Sequence, residues 1–111
     1  MGMIRVGSFL MLLCLVTACG GASQTDGFDP PEGYKSRSGK TMYMNYCTSC
    51  HGDNGKLGSG GAKDLTTSNL DSTAIVDLLK NGKNGMPRQI QYFKSDEEVA
   101  STVDYIKSFR K

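Results

Sequence analysis

Three residues within a span of five carry side chains that could hold a metal-containing cofactor: Cys47, Cys50 and His51, in the order Cys-Thr-Ser-Cys-His. This C-x-x-C-H pattern is the attachment signature of a c-type haem. Two thiols three residues apart on a helical turn can each add to one vinyl group of the porphyrin, and the next imidazole then lies beneath the iron. The motif occurs once and the chain has one histidine. The sequence therefore predicts one covalently bound haem c, with His51 as the proximal iron ligand.

The cysteine pair also fits two other kinds of site. A dithiol redox site is expected in a βαβ context, and no stretch of this chain alternates convincingly as a strand. A structural zinc site needs four ligands, but the other two cysteines, Cys14 and Cys19, lie in the N-terminal segment and no second histidine exists. Haem attachment is the favoured interpretation.

The second axial ligand is predicted by elimination among the six methionines. Met42 and Met44 directly precede Cys47 and belong to the proximal side, and three others lie in the apolar N-terminal segment. Met86 stands in the Gly-rich stretch Asn81–Pro87, where glycines let the backbone approach a porphyrin and Pro87 restrains the chain. A thioether suits haem iron and raises its reduction potential. The alternative is that Met86 only fills a gap in the core.

The N-terminus has the pattern of an export signal. Arg5 is followed by an almost wholly apolar run over residues 6–16, which is too short to span a bilayer. The small residues that follow end in Cys19 and resemble the bacterial lipoprotein box, which implies cleavage after Ala18 and acylation of Cys19. The alternative is an ordinary signal peptide cut near Ala18, with Cys19 incidental. Both interpretations predict export.

The rest of the chain divides into a tether and one small domain. Residues 1–18 are predicted as the signal peptide, 19–38 as the acylated cysteine with a flexible Gly/Ser/Pro-rich tether, and 39–111 as the folded domain. The net charge of +2 excludes a strongly basic nucleic-acid binder. A core of about 73 residues is marginal unless a large apolar group is packed into it.

Three segments have the pattern of helices, and the predicted fold is all-α. The first covers residues 39–48 and includes the first cysteine of the C-x-x-C-H motif, Cys47. The second covers 71–81, with Asp71 or Ser72 as the N-cap and Gly82 after its end. The third begins at Ser95 with a capping box that includes Glu98 and presents one apolar face. Residues 52–62 and 82–94 are predicted as long loops.

Residues 39–111 resemble a class I cytochrome c domain of the small bacterial monohaem kind. The resemblance rests on Gly39 and Tyr43 ahead of the C-x-x-C-H motif, on residues 84–87 (Asn-Gly-Met-Pro), and on residues 103–106 (Val-Asp-Tyr-Ile). It implies that the first and last helices cross closely, with Gly39, Tyr43 and Tyr105 at the crossing. Many members have a proline whose carbonyl accepts the proximal histidine's N–H, but residues 58–65 of this chain contain none. Another backbone carbonyl is expected to hold His51, and Leu65 is expected to pack against the haem.

The expected function is a membrane-tethered one-electron carrier on the outer, periplasmic side of the cytoplasmic membrane. With His51 and Met86 at both axial positions no iron site is open to a substrate, and no acid–base or nucleophile constellation is visible, so no enzymatic activity is expected. The expected partners are redox proteins, as donor and acceptor, and a membrane bound through the lipid on Cys19. The alternatives are a haem enzyme or sensor with an open sixth position, or a haem subunit of a larger oxidoreductase.

Overall fold

The computed structural model describes residues 30–111, and within them every regular element is a helix. The all-α prediction is confirmed for this part of the chain, while the predicted signal peptide and Cys19 lie outside the described residues. The α-helices are α1 (Gly39–Tyr46), α2 (Thr48–His51), α3 (Ser72–Asn81) and α4 (Asp96–Lys107). Single 3-10 turns occupy Ser59–Gly61, Leu65–Thr67 and Ile90–Tyr92. None of the helices in residues 30–111 is long and apolar enough to cross a membrane.

Side-chain caps determine where α3 and α4 begin. Asp71 accepts a hydrogen bond of 2.8 Å from the N–H of Ala74, as the sequence predicts. Ser95 accepts one of 3.2 Å from the N–H of Glu98, the predicted first half of the capping box. The carboxylate of Glu98 accepts instead from the N–H of Lys94, at 2.9 Å. The Glu98 side chain therefore does not cap its own helix and instead bonds to the segment that precedes it.

The first predicted helix divides into two at Cys47. The backbone there has φ −117° and ψ −27°, although its N–H still donates to the carbonyl of Tyr43 at 2.9 Å. A second short helix, α2, then carries the remainder of the motif to His51. The prediction of one helix through Thr48 is therefore corrected, because the backbone at Cys47 departs from regular helical geometry.

Helices α1 and α4 cross at very close range. Gly39 is buried, and a methyl group on it would overlap the backbone carbonyl of Ser101. One turn further along, the ring of Tyr43 packs 5.3 Å from Tyr105 and 5.0 Å from Phe109, centroid to centroid. The buried apolar core extends from this crossing and comprises Met42, Tyr43, Ile75, Leu79, Ile90, Phe93, Val99, Val103 and Ile106.

The segment ahead of α1 is packed onto the domain. Tyr34, Ser36 and Arg37 all form hydrogen bonds to residues at the start of α4. Their partners are the hydroxyl of Ser95 and the buried carboxylate of Glu98, which needs donors because it has left water. Contacts of the domain thus begin at Tyr34, within the stretch that the sequence assigns to the tether.

Candidate functional site

The turn between α1 and α2 sets the two cysteines in different surroundings. Cys47 is half-buried and packs against the apolar core, whereas Cys50 is exposed on α2. Both thiols are free in the structure. Burial, and next the neighbouring charge of Cys50, raises the pKa of Cys47 to about 11. A dithiol redox site needs a lowered thiol pKa, so the surroundings of Cys47 do not favour that alternative.

The imidazole of His51 is held by one backbone carbonyl. Its Nδ1 lies 3.0 Å from the carbonyl oxygen of Lys63. A carbonyl only accepts hydrogen bonds, so Nδ1 carries a proton, and in the neutral imidazole Nε2 then keeps its lone pair. This is the arrangement that a metal-binding histidine requires, with the second nitrogen fixed by an outer partner. Lys63 thus supplies the carbonyl that the sequence left unnamed.

The loop that carries Lys63 is tied back to the motif at several points. The N–H of Leu57 donates to the carbonyl of His51 at 3.0 Å, and the N–H of Leu65 donates to Gly55 at 2.9 Å. Asp64 caps the turn that follows by accepting from the hydroxyl of Thr66 at 2.7 Å and from its N–H at 2.8 Å, and these two bonds lower the pKa of Asp64. Leu65 is half-buried and packs against the core. The loop is therefore braced on both sides of Lys63.

Tyr43 connects the helix crossing to the histidine. Its hydroxyl donates to the carbonyl of Gly52, the residue after His51, at 2.6 Å. Burial raises the pKa of Tyr43 to about 12, so this hydroxyl stays protonated and remains a donor at neutral pH. The sequence indicated a packing role for Tyr43 and gave no sign of this hydrogen bond.

Met86 lies at the end of a tight hairpin. Lys83 and Met86 exchange two backbone hydrogen bonds of 3.0 Å each, and the central residues Asn84 and Gly85 have φ of +51° and +59°. Left-handed conformation at both central positions is that of a type I′ turn, for which Asn-Gly is the preferred pair. The Asn-Gly pair in the sequence is therefore a hairpin signal, which the prediction of an irregular loop missed.

The hairpin presents Met86 to the same core that Cys47 contacts. The Met86 side chain is half-buried against the core residues. Behind it, the N–H of Gln89 donates to the carbonyl of Leu79 in α3 at 2.8 Å, and Ile90 is buried. By contrast, Met42 is fully buried in the core and Met44 is 39% exposed on α1.

The donor set on these elements fits a haem. Two free thiols, an imidazole whose Nδ1 is bonded to a carbonyl, and a thioether on a separate segment are the groups that c-type haem uses. Within residues 30–111 no cluster of three or more His, Cys, Asp or Glu side chains is arranged to hold a metal ion.

Charge around the Met86 hairpin is of one sign. Residues 78–95 contain no acidic side chain, and their four cations are all exposed: Lys80, Lys83, Arg88 and Lys94. The net charge of the whole chain is only +2. This segment therefore carries more positive charge than the overall balance of the chain indicates.

These helices and the C-x-x-C-H turn define a class I c-type cytochrome. Comparison with known families supports the assignment, because residues 35–106 match the family described as cytochrome c oxidase, cbb3-type, subunit III. The match spans more than half of the chain, which therefore belongs to this family. Searches of curated proteins and of solved structures gave no significant match. The chain is accordingly a haem-based electron carrier by class.

Proposed function

We propose that this protein is a membrane-tethered monohaem cytochrome that transfers single electrons between redox partners outside the cytoplasm. In this proposal Cys47 and Cys50 form the thioether bonds, His51 binds the iron from the proximal side and Met86 binds it from the distal side. The observation that carries the proposal is the hydrogen bond from His51 Nδ1 to the carbonyl of Lys63, since it leaves Nε2 as the nitrogen available to iron in a motif whose two thiols are free.

When bound, the haem supplies an iron that cycles between the ferrous and ferric states. The chain's own residues would hold that iron through His51 and Met86. Lys63 fixes the plane and tautomer of the His51 ring, and the hairpin fixes the position of Met86. With both axial positions filled by the protein, no substrate can coordinate, and electron transfer is the chemistry that remains.

The covalent haem is tested by acid–organic extraction of the purified protein. We expect one haem per chain to stay on the polypeptide, because two thioether bonds survive treatment that removes axial ligands. Cys50→Ser is expected to leave a single thioether bond and to impair maturation. Release of all the haem into the organic phase from the unaltered protein would overturn the attachment through Cys47 and Cys50.

The placement outside the cytoplasm and the membrane anchor rest on the N-terminal sequence. Residues 1–18 are proposed as the cleaved signal and residues 19–33 as the lipidated cysteine and tether, since the contacts of the cytochrome domain begin at Tyr34. An exported chain reaches the compartment in which bacteria attach haem to C-x-x-C-H motifs. The lipid on Cys19 then keeps the carrier at the membrane surface, near membrane-bound redox partners.

A second candidate is a haem subunit of a larger oxidoreductase. The family description names a subunit of a cbb3-type cytochrome c oxidase, and such a subunit could pass electrons within one complex. Mild detergent extraction followed by size-exclusion chromatography separates the two candidates. A free carrier elutes at the size of the single chain in its micelle, whereas a subunit elutes with other haem-containing chains in a fixed ratio.

A further inference from the structure

The carboxylate of Glu98 is buried in the centre of a hydrogen-bond network. Its side chain is 0% exposed. It accepts from the hydroxyl of Tyr34, from the N–H of Lys94 at 2.9 Å, and from Arg37 through the backbone N–H, Nε and Nη2 at 2.9, 2.9 and 3.0 Å. Burial raises the pKa of this carboxyl, but the bonds from Arg37 and Tyr34 outweigh it and hold the value at about 2. Glu98 is therefore ionised under all ordinary conditions.

Arg37 connects this buried charge to both sides of the candidate site. Its Nη2 donates to the carbonyl of Tyr92 at 2.8 Å, near the end of the segment that carries Met86. Its Nη1 donates to the hydroxyl of Tyr46 at 3.4 Å, and Tyr46 directly precedes Cys47. The rings of Tyr46 and Tyr92 stack on each other, 4.5 Å apart and 12° from parallel. The guanidinium thus spans from the end of α1 to the end of the Met86 segment.

The segment 82–94 has anchors at its two ends. At the first end, the N–H of Gly82 donates to the carbonyl of Leu78 in α3 at 2.8 Å, and within the segment the N–H of Gln89 also bonds back to α3. At the second end, Arg37 holds the carbonyl of Tyr92 and Glu98 holds the N–H of Lys94. Removing one member of a buried ion pair leaves the other charge uncompensated. The unpaired side chain would then move towards solvent, and the bonds that hold Tyr92 and Lys94 at the second end of segment 82–94 would be weakened.

We propose that Arg37 and Glu98 are positioning residues that hold the Met86 segment against the Cys47–His51 side and so determine how completely Met86 stays on the iron. The inference rests on the proposed function, because it assumes that Met86 is a ligand. It adds that two residues more than ten positions from Met86 in sequence, Arg37 and Glu98, control the equilibrium between bound and released thioether.

The test measures how fast carbon monoxide binds to the ferrous full-length protein, since carbon monoxide enters only when Met86 leaves. Arg37→Met is expected to bind it about tenfold faster than the unaltered protein. This factor corresponds to the free energy of one typical charged hydrogen bond, which the variant loses. Arg37→Lys keeps the charge but cannot reproduce the forked contacts, so a smaller increase is expected. If Arg37→Met does not fold, the rate of carbon monoxide binding to Arg37→Lys provides the test.

Phe109→Leu is the control for a purely structural effect. It alters the aromatic cluster at the far end of α4 and is expected to lower the free energy of unfolding without faster binding of carbon monoxide. In a Met86→Ala background, Arg37→Met should give no further acceleration, because the step it controls is gone. Equal acceleration in Phe109→Leu, or none in both Arg37 variants, would overturn the positioning role.

The two proposals fail in different ways. Rapid binding of carbon monoxide by the unaltered protein overturns Met86 ligation, and the positioning role with it. Slow binding by the unaltered protein, together with unchanged slow binding in the Arg37 variants, overturns the positioning role alone.

Discussion

At the scale of single residues, the site depends on which atoms are free to bind. The carbonyl of Lys63 accepts the hydrogen bond from Nδ1 of His51. Met86 ends a tight turn that two backbone hydrogen bonds with Lys83 close. The sequence could not identify Lys63, because every residue type has a backbone carbonyl and the side chain at this position takes no part in the bond. In many family members a proline is the signal at this place, and residues 58–65 of this chain contain none.

Replacement of Met86 separates a carrier from an open haem site. A thioether favours the ferrous state, so Met86→Ala is expected to lower the reduction potential by on the order of 0.1 V, within the roughly 0.8 V over which axial ligands tune haem. The variant should also lose the weak far-red absorption that sulfur-to-iron bonding gives in class I cytochromes. Redox titration followed by absorption measures both.

Met44→Leu is the matched control, because Met44 is partly exposed on α1 and its replacement leaves the core unchanged. We expect its potential and far-red band to equal those of the unaltered protein. A shift in Met44→Leu with none in Met86→Ala would contradict the ligand assignment.

At the scale of elements, the Met86 hairpin depends on Gly82. This glycine has φ +69° and ψ 175°, and a methyl group on it would overlap the carbonyl oxygen of Met86. Gly82→Ala is therefore expected to destabilise the fold by about 1–3 kcal/mol and to weaken the far-red band, because the Met86 backbone must move. Urea unfolding and absorption of the same sample report the two effects.

Gly85→Ala provides the comparison within the same hairpin. Gly85 has a positive φ of +59° as well, but an added methyl group meets no atom within 4 Å. Only the cost of left-handed backbone remains, about 1–2 kcal/mol, and the far-red band should persist. Equal loss of the band in both variants would show that close packing at Gly82 is not what positions Met86.

The Glu98 network predicts how stability depends on pH. The pKa of Glu98 falls from 4.5 to about 2 on folding. A lowered pKa contributes stability that is fully present above pH 4.5 and is lost as pH falls towards 2. The contribution at neutral pH is roughly 3 kcal/mol, at 1.36 kcal/mol per unit of pKa. Urea unfolding at pH 7, 4 and 3 should show this decline.

Glu98→Gln isolates that contribution from other acids. Asp64 also has a lowered pKa, and it is present in both proteins. The variant is expected to be less stable at pH 7 and to lose less stability between pH 4.5 and 3. Parallel pH profiles for the two proteins would contradict the view that Glu98 is ionised in the folded state.

Local signals account for most of what could be predicted about the elements. The caps at Asp71 and Ser95 and the apolar face of α4 are short-range patterns, and the structure has them where they were expected. The break between α1 and α2 at Cys47 could not be predicted, because no glycine or proline lies there. The bond between Arg37 and Glu98 joins residues 61 apart, and no periodicity within one segment reveals such a contact.

At the scale of the whole molecule, the domain and its proposed anchor are separate parts of one chain. The contacts of the domain start at Tyr34, which leaves residues 19–33 as the proposed connection to the membrane. Several acyl chains hold a protein stably on a bilayer, whereas one does so marginally, and bacterial lipoproteins, which the N-terminal sequence resembles, are the multi-chain case. The lipid on Cys19, as proposed, is the single point of attachment.

Cys19→Ala is expected to move the protein from the membrane fraction to the soluble fraction while its absorption spectrum stays unchanged. Fractionation with detection by haem staining measures the distribution, and mass spectrometry of the N-terminus identifies the lipid. A freely soluble unaltered protein with an unmodified N-terminus would contradict the lipid anchor and leave the cytochrome domain unaffected.

The central claim is that His51 and Met86 together fill both axial positions of one haem iron. Absorption spectra of the purified full-length protein, oxidised and reduced, with and without carbon monoxide, test it most directly. The account predicts low-spin iron in both states, a weak far-red band in the ferric protein, and slow binding of carbon monoxide to the ferrous protein. High-spin iron that binds carbon monoxide at once would contradict it and would favour a haem enzyme or sensor with an open sixth position.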